Sequence, residues 1–167
     1  KVKKIDQQIV SVTIRRQDFD PARNNRVTEW LRFCHYLQAE GYFPVIVPDT
    51  DHSFDTDELF PGIYVFHECA WNMGLRMALY EFCYLNFFVP SGPSWLGSGG
   101  KKVSYIAMNM LPKGSKITTI EAYNKVGHPT GENYRWAWPN QKLVYKPDTY
   151  ENILAEFKYY IQENEGQ

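Results

Sequence analysis

Net charge is almost absent from this chain: 18 Lys and Arg against 19 Asp and Glu leave −1 over 167 residues. A surface so balanced exerts no general pull on nucleic acid or on anionic membranes. No apolar run approaches the roughly 20 residues of a membrane-spanning helix, and no signal peptide is visible. Cysteine is scarce, and Cys34, Cys69 and Cys83 are too scattered to form a metal-ligand pattern. An odd, dispersed set of this kind reads as reduced core thiols in a cytoplasmic protein. Three catalytic signatures are also missing. There is no G-x-S-x-G turn for a Ser-His-Asp hydrolase, no Walker loop for an ATPase, and no G-x-G-x-x-G for a dinucleotide enzyme. Internal repeats and low-complexity tracts are lacking too.

What is there suits one domain with a sizeable core. Twelve Tyr, 10 Phe and 5 Trp argue for a globular fold and exceed what packing alone needs, so some rings are expected in a groove or an interface. The chain begins at Lys1 rather than Met, which reads as a piece processed, trimmed or excised from something longer.

The organising stretch is residues 9–25, IVSVTIRRQDFDPARNN. Residues 9–14 are apolar and β-branched, as a buried parallel strand requires. The strand runs directly into Arg15, Arg16, Asp18, Asp20 and Arg23, then into Asn24-Asn25 as helix start and expected N-cap. Polar groups at the carboxyl end of a strand, beside a helix N-terminus, are how an open α/β sheet builds a ligand site. The downstream pattern repeats strand and helix. Helical spacing from Val27 to Leu37 is stopped at Gly41, and a strand over Phe43–Val47 completes a βαβ unit.

Further expectations are a short helical piece near 54–59 and a strand over 62–66. A helix over 71–84 should bury Leu75, Ala78, Leu79, Phe82 and Cys83. Strands follow over 85–89 and 102–108, separated by a short helix opening at Ser91-Gly92-Pro93-Ser94. Residues 109–141 read mostly as loop, with a short helix near 117–125, and an edge strand is expected at 143–145. Asp148 should cap a closing helix, with Glu151 completing a capping box and Ile153, Leu154, Phe157, Tyr160 and Ile161 forming its apolar face. Residues 1–8 are a polar lead-in. The expected fold is α/β: a three-layer, Rossmann-like open parallel sheet of five or six strands with helices on both faces.

Parallel strands align their carboxyl ends, so the loops at 15–25, 48–52, 67–71 and 90–95 should converge. Arg15 and Arg16 supply planar donor forks suited to phosphate oxygens; the bland alternative is a pair of solvated charges. Ser91-Gly-Pro-Ser94 lets backbone approach an anion such as a diphosphate, with two hydroxyls helping; the alternative is a structural turn. Asp49, Asp51, His67 and Glu68 could hold ribose hydroxyls or a purine edge, or cap local turns. His35 and His52 read as surface residues, and His128 sits in a Gly/Pro loop with no partner in view. No metal-ligand set is found.

Two short segments, in order, carry a resemblance. Leu85-Asn-Phe-Phe-Val-Pro-Ser91-Gly-Pro-Ser94, followed by Gly100-Lys-Lys-Val-Ser-Tyr, is similar to the N-D-S-G-P … G-K-P-V-V segment of lipopolysaccharide heptosyltransferases. Val89-Pro90 stands where that segment has its aspartate. Thr13-Ile-Arg15-Arg16-Gln-Asp18 resembles the H-x-R-R-x-D motif of GDP-fucose-using fucosyltransferases, with Thr13 in place of the histidine. Together they resemble the C-terminal, donor-binding half of GT-B glycosyltransferases over about 9–108 and, by layout, the final helix.

That resemblance implies a domain spanning 1–167 that binds a nucleotide-diphospho-sugar, GDP- or ADP-linked in preference to UDP-linked, and needs no separate cofactor. It implies metal-independent transfer, with Arg15 and Arg16 as catalytic cations on the leaving diphosphate. Asp18, His67, Glu68, Ser91, Gly92, Pro93 and Ser94 are then donor-binding positions by resemblance, and Arg23, Asn24, Asn25 and Asp49 join them as residues of the converging strand-end loops. The acceptor, a glycan or lipid-linked saccharide, and its catalytic base would be brought by an N-terminal half. Two alternatives stay open: a non-catalytic Rossmann-like assembly module with the aromatic 134–138 segment as its interface, and a sugar-nucleotide epimerase of the same architecture.

Overall fold

The computed structural model describes residues 6–165, so the start of the polar lead-in expected over 1–8 lies outside the described residues. Six parallel strands form one sheet in the order β3-β2-β1-β4-β5-β6. They are β1 Ile9–Thr13, β2 Phe43–Val47, β3 Tyr64–Val65, β4 Leu85–Phe88, β5 Tyr105–Ala107 and β6 Gln141–Leu143. β1 is flanked by β2, with Ile9 opposite Phe43, and by β4, with Val10 opposite Leu85. The chain builds outward from β1 through β2 to β3, then returns to start the other half at β4. Adjacent loops after β1 and β4 therefore leave in opposite directions and open a crevice between them. In open α/β sheets this reversal point is where ligands sit.

Helices cover both faces. α1 (Val27–Ala39) and the closing α7 (Tyr150–Glu165) lie on one face, where Trp30, Phe33 and Phe157 pack on Val10, Val12 and Phe87. On the other face α4 (Met73–Phe82) and α5 (Gly92–Ser98) cover Val45, Val47, Phe88 and Tyr105. Three shorter helices are α2 Thr56–Leu59, α3 Glu68–Trp71 and α6 Ile120–Lys125. The strand alternation sends Ser11 and Thr13 to the second face, fully buried. Ser11 Oγ donates to Asn86 Oδ1, and Thr13 Oγ1 meets the Tyr80 hydroxyl at 2.8 Å. Buried polar groups so paired carry little penalty. All three cysteines are free and buried.

Four local expectations are corrected. The helix expected over 71–84 is broken at Asn72, whose side chain accepts the Leu75 N–H at 2.9 Å and caps α4. Its buried face is not the expected one. Phe82 is 76% exposed and Ala78 is exposed, while Arg76 is buried with Nε on Cys69 O and Nη2 on Pro48 O. β6 begins two residues early at Gln141, whose buried amide donates to Gly100 O and Val103 O.

At α1 and α7 the expected caps are exchanged. Neither Asn24 nor Asn25 caps α1, and Asp148 does not cap α7. Asp148 instead accepts the Arg26 N–H at 3.0 Å and the Trp30 indole at 2.8 Å at the start of α1. Glu29 of α1 accepts the Tyr150 N–H at the start of α7, and Thr149 accepts from Asn152. Each helix N-terminus is thus met by a carboxylate from the other's segment, favourable for both dipoles.

Candidate functional site

Strand pairing of β1 persists to Ile14, whose N–H reaches Val47 O at 2.9 Å. Asn25 then closes the loop that follows. Its side chain accepts the Arg15 N–H at 2.7 Å, and its own N–H donates to Arg15 O. Inside the loop the buried Arg15 guanidinium turns back on the backbone. Nη2 donates to Phe19 O at 3.0 Å, and Nη1 donates to Asn24 Oδ1 and Asp20 O. Asn24 also holds both backbone groups of Gln17. Asp20 takes the left-handed conformation, φ 56°, which Asp tolerates better than most residues, and leads into the 3-10 turn Pro21–Arg23. Its carboxylate accepts the Ser115 hydroxyl at 2.6 Å, which holds it below the ordinary aspartate value. Burial, then repulsion from Arg23, holds the Arg15 guanidinium below its ordinary value.

Two further strand ends are stitched to this loop. Asp49, after β2, accepts from Arg16 N at 3.1 Å, Gln17 Nε2 at 3.0 Å and Thr50 N at 2.8 Å. Arg23 Nη2 donates to Pro90 O, after β4, at 2.9 Å. Between them opens a cavity of about 220 Å³, walled by Arg15, Gln17, Arg23 and Asp49 on one side and by residues 91–93 on the other. Arg16 Nη1 and Arg23 Nε are buried N–H groups with no acceptor among the described residues. An unpaired buried donor is costly, and an anionic oxygen is the acceptor that relieves a guanidinium best.

The β4 side is a small-residue turn into α5, with Pro93 in its first turn. Ser94 Oγ donates to Ser91 O at 2.7 Å and accepts the Ser91 N–H at 3.2 Å. The Ser94 hydroxyl is therefore occupied within the turn. α5 is seated close to β4 because Gly97 has no side chain. A Cβ there would stand 2.7 Å from the Phe88 ring.

No family model matches the chain, and no curated protein matches it in sequence. Solved structures match it in fold. The glycosyl transferase family 9 protein from Veillonella parvula aligns over 95% of this chain and 47% of its own, with a TM-score of 0.62 and 13% identity. The E. coli ADP-heptose lps heptosyltransferase II aligns over 96% of this chain and 48% of its own, with a TM-score of 0.66 and 12% identity. The fold is that of half a GT-B glycosyltransferase. The chain spans about half the length of each of these structures.

Within this fold the expected site residues separate into two places. Arg15, Arg23, Asp49 and residues 91–93 surround one cavity, and Asn24 and Asn25 hold its loop from behind. Arg16 joins them through its backbone bond to Asp49, while Asp18 is exposed on the loop. His67 and Glu68 lie beyond β3 at the sheet edge. His67 Nε2 is 2.8 Å from Asp57 Oδ2, and its ring stacks on the exposed Phe54. Glu68 is exposed.

Sequence reasoning missed Gln17, which bridges Asp49 and Asp51 from inside the motif itself. The aromatic 134–138 segment, expected as an interface in one alternative, instead helps wall a second cavity of about 170 Å³ beside the first, with Ile117, Tyr123 and Tyr134 facing Ser91, Ser94 and Trp95. His128 is partnered after all: Nε2 is 2.8 Å from the Tyr145 hydroxyl. Among the described residues no group of three or more His, Cys, Asp and Glu side chains gathers as metal ligands, and no helix is long and apolar enough to cross a membrane.

Proposed function

We propose that this chain is the donor-binding half of a GT-B glycosyltransferase and holds a nucleotide-diphospho-sugar across the β1/β4 reversal point, without a metal ion. The supporting observation is Arg23, which lines a cavity built from both strand ends and whose buried Nε has no acceptor among the described residues. As the glycosidic bond breaks, negative charge grows on the leaving diphosphate. Fixed cations aimed at that position stabilise the transition state more than the ground state.

Arg23 is the cavity-wall donor for the phosphate oxygens in this reading. Arg16, whose Nη1 also lacks an acceptor among the described residues, does not line the cavity and enters only as a second cation on the same loop. Arg15 is a positioning residue, because its guanidinium already holds the loop carbonyls. Asp49 accepts three hydrogen bonds and keeps little capacity beyond one ribose hydroxyl. A GDP- or ADP-linked sugar is the donor, and a glycan or lipid-linked saccharide is the acceptor. An N-terminal half brings that acceptor and its base, a reading supported by the half-length match to both solved structures. Three free, buried thiols suit a reducing, cytoplasmic setting.

Calorimetry with ADP, GDP and UDP in the presence of EDTA tests this. At least one nucleotide should bind, and Arg23→Ala should weaken it tenfold or more, the order expected for losing one charge-assisted bond. Absence of binding by all three, or an unchanged affinity in Arg23→Ala, removes the proposal.

A further inference from the structure

The second cavity touches the first. Arg23 and Ser91 line both, so a ligand filling the polar cavity abuts the aromatic one. Its wall holds Trp95 of α5 and Tyr134, and Trp136 lies against them. The three rings are nearly parallel. Tyr134 and Trp136 are 4.8 Å apart at 6°, Trp95 and Tyr134 5.2 Å apart at 29°, and Trp95 and Trp136 6.3 Å apart at 30°. Tyr134 is buried, while each indole is 54% exposed. Folding therefore fixes the orientation of two large indoles without covering them, a mark of an interaction surface rather than a core.

We propose that Trp95, Tyr134 and Trp136 form a sugar-ring subsite that continues the Arg23–Ser91 cavity. It deepens the donor-binding reading and rests on it for the direction of the ligand. Asp49 follows β2 on one side of the reversal point, and Trp95 and Tyr134 stand on the β4–β5 side. In a nucleotide-diphospho-sugar the phosphates lie between base and sugar. With the nucleoside toward Asp49, the sugar end extends toward the rings. The chemistry agrees. One face of a pyranose ring presents polarised C–H groups, which suit the negative face of an indole. Arg23 in the cavity and Arg135 beside Trp136 disfavour a cationic occupant.

A donor sugar and an acceptor glycan offer the same ring chemistry, and the test separates them. The full chain is titrated with ADP and GDP, with ADP-glucose and GDP-mannose, and with maltotetraose and mannotetraose, while the indole N–H signals are followed by NMR. Trp95→Ala and Trp136→Ala are compared with Trp138→Ala, an exposed tryptophan under Lys101 that lines neither cavity. The subsite predicts that Trp95→Ala and Trp136→Ala leave ADP or GDP affinity within about twofold and weaken a sugar-bearing probe about fivefold or more, whereas Trp138→Ala changes neither. A response to the nucleotide sugars alone assigns the ring to the donor, and one to the tetrasaccharides assigns it to the acceptor. If no bare nucleotide binds but saccharides move the Trp95 and Trp136 signals, the subsite stands and the donor reading falls. The subsite is overturned if no sugar-bearing probe moves those signals. It is also overturned if the two substitutions leave sugar binding unchanged, or if they weaken bare nucleotide equally.

Discussion

The two irregular stretches that border the cavities are built on different chemistry. Residues 15–25 are held by polar bonds: Asn25 continues the strand pairing, and Arg15 and Asn24 hold the loop's backbone groups. Residues 109–141 add a ring cluster to their hydrogen bonds, with Tyr134 against Trp95, Trp136 and His128, and His128 against Tyr123. They meet where Ser115 donates to Asp20. The polar loop looks more like a ligand site, yet most of its donors are consumed in holding it. The aromatic stretch looks like filler, yet it leaves more surface open. A buried polar network fixes a single geometry because every broken bond is costly. Stacked rings can slide with little loss, which suits a surface that must accommodate a partner.

Stability measurements can break this comparison. The largest effect is expected from Tyr134→Ala, which empties the centre of the ring cluster and should lower the unfolding free energy by about 3 kcal/mol. Asn25→Ala should cost about 2 kcal/mol, because it leaves the Arg15 N–H and Thr13 O without their partner. Urea unfolding gives both numbers. Nucleotide titration sharpens the contrast: Asn25→Ala should also weaken ADP or GDP binding by loosening the Arg15 loop, whereas Tyr134→Ala should affect it less. Equal losses of nucleotide binding would show that the two stretches do not divide the work.

Much of the fold was legible because a parallel sheet buried on both faces demands short, mainly apolar runs rich in β-branched or aromatic residues, and 9–14, 43–47 and 85–89 are such runs. What escaped was polar residues buried by distant partners. Gln141 begins β6 because its amide finds carbonyls some 40 residues earlier, at Gly100 and Val103. Arg76 replaces Phe82 on the inner face of α4 for the same reason, its carbonyl partners lying on the β2 and α3 segments. Of the site, the residues close in sequence to a strand end were legible, since the topology alone brings Arg15, Arg23, Asp49 and residues 91–93 together. Whether a guanidinium is free or spent on its own loop was not, because that depends on where Phe19 O and Asn24 point.

A third substitution tests the wall that both stretches share. Gly97 sits where α5 presses on β4, and an added Cβ would meet the Phe88 ring at 2.7 Å. Phe88 is fully buried and has nowhere to swing. Gly97→Ala should therefore cost about 1–2 kcal/mol and tilt α5 outward. Since α5 carries both the 91–94 turn and Trp95, the tilt should weaken nucleotide and saccharide probes together. A selective loss of one would mean that the two cavities are less continuous than Arg23 and Ser91 make them.

The smallest effects are in pH dependence, and they should have opposite signs on the two sides. The Tyr145 hydroxyl has one proton, which it donates to Glu132 O at 2.8 Å, so His128 Nε2 must donate to the hydroxyl and Nδ1 is the site left to protonate. Burial, against the opposing pull of Glu132 and with some help from Arg135, holds His128 below the ordinary histidine value. Below that ordinary value the unfolded chain then binds more protons than the folded one, so stability is lost as pH falls through the folded pKa. Asp148, which anchors the end of the polar loop through Arg26 N, is displaced the other way: burial raises its carboxyl despite the Arg26 and Trp30 bonds. Between the ordinary carboxylate value and its raised folded value the native state binds the extra proton, and stability falls as pH rises. Melting curves from pH 4 to 8 for wild type, His128→Gln and Asp148→Asn separate the two. His128→Gln should flatten the loss on the acid side, and Asp148→Asn should flatten the loss on raising pH from the carboxylate range. Parallel curves for all three proteins would mean that neither group changes its proton occupancy on folding.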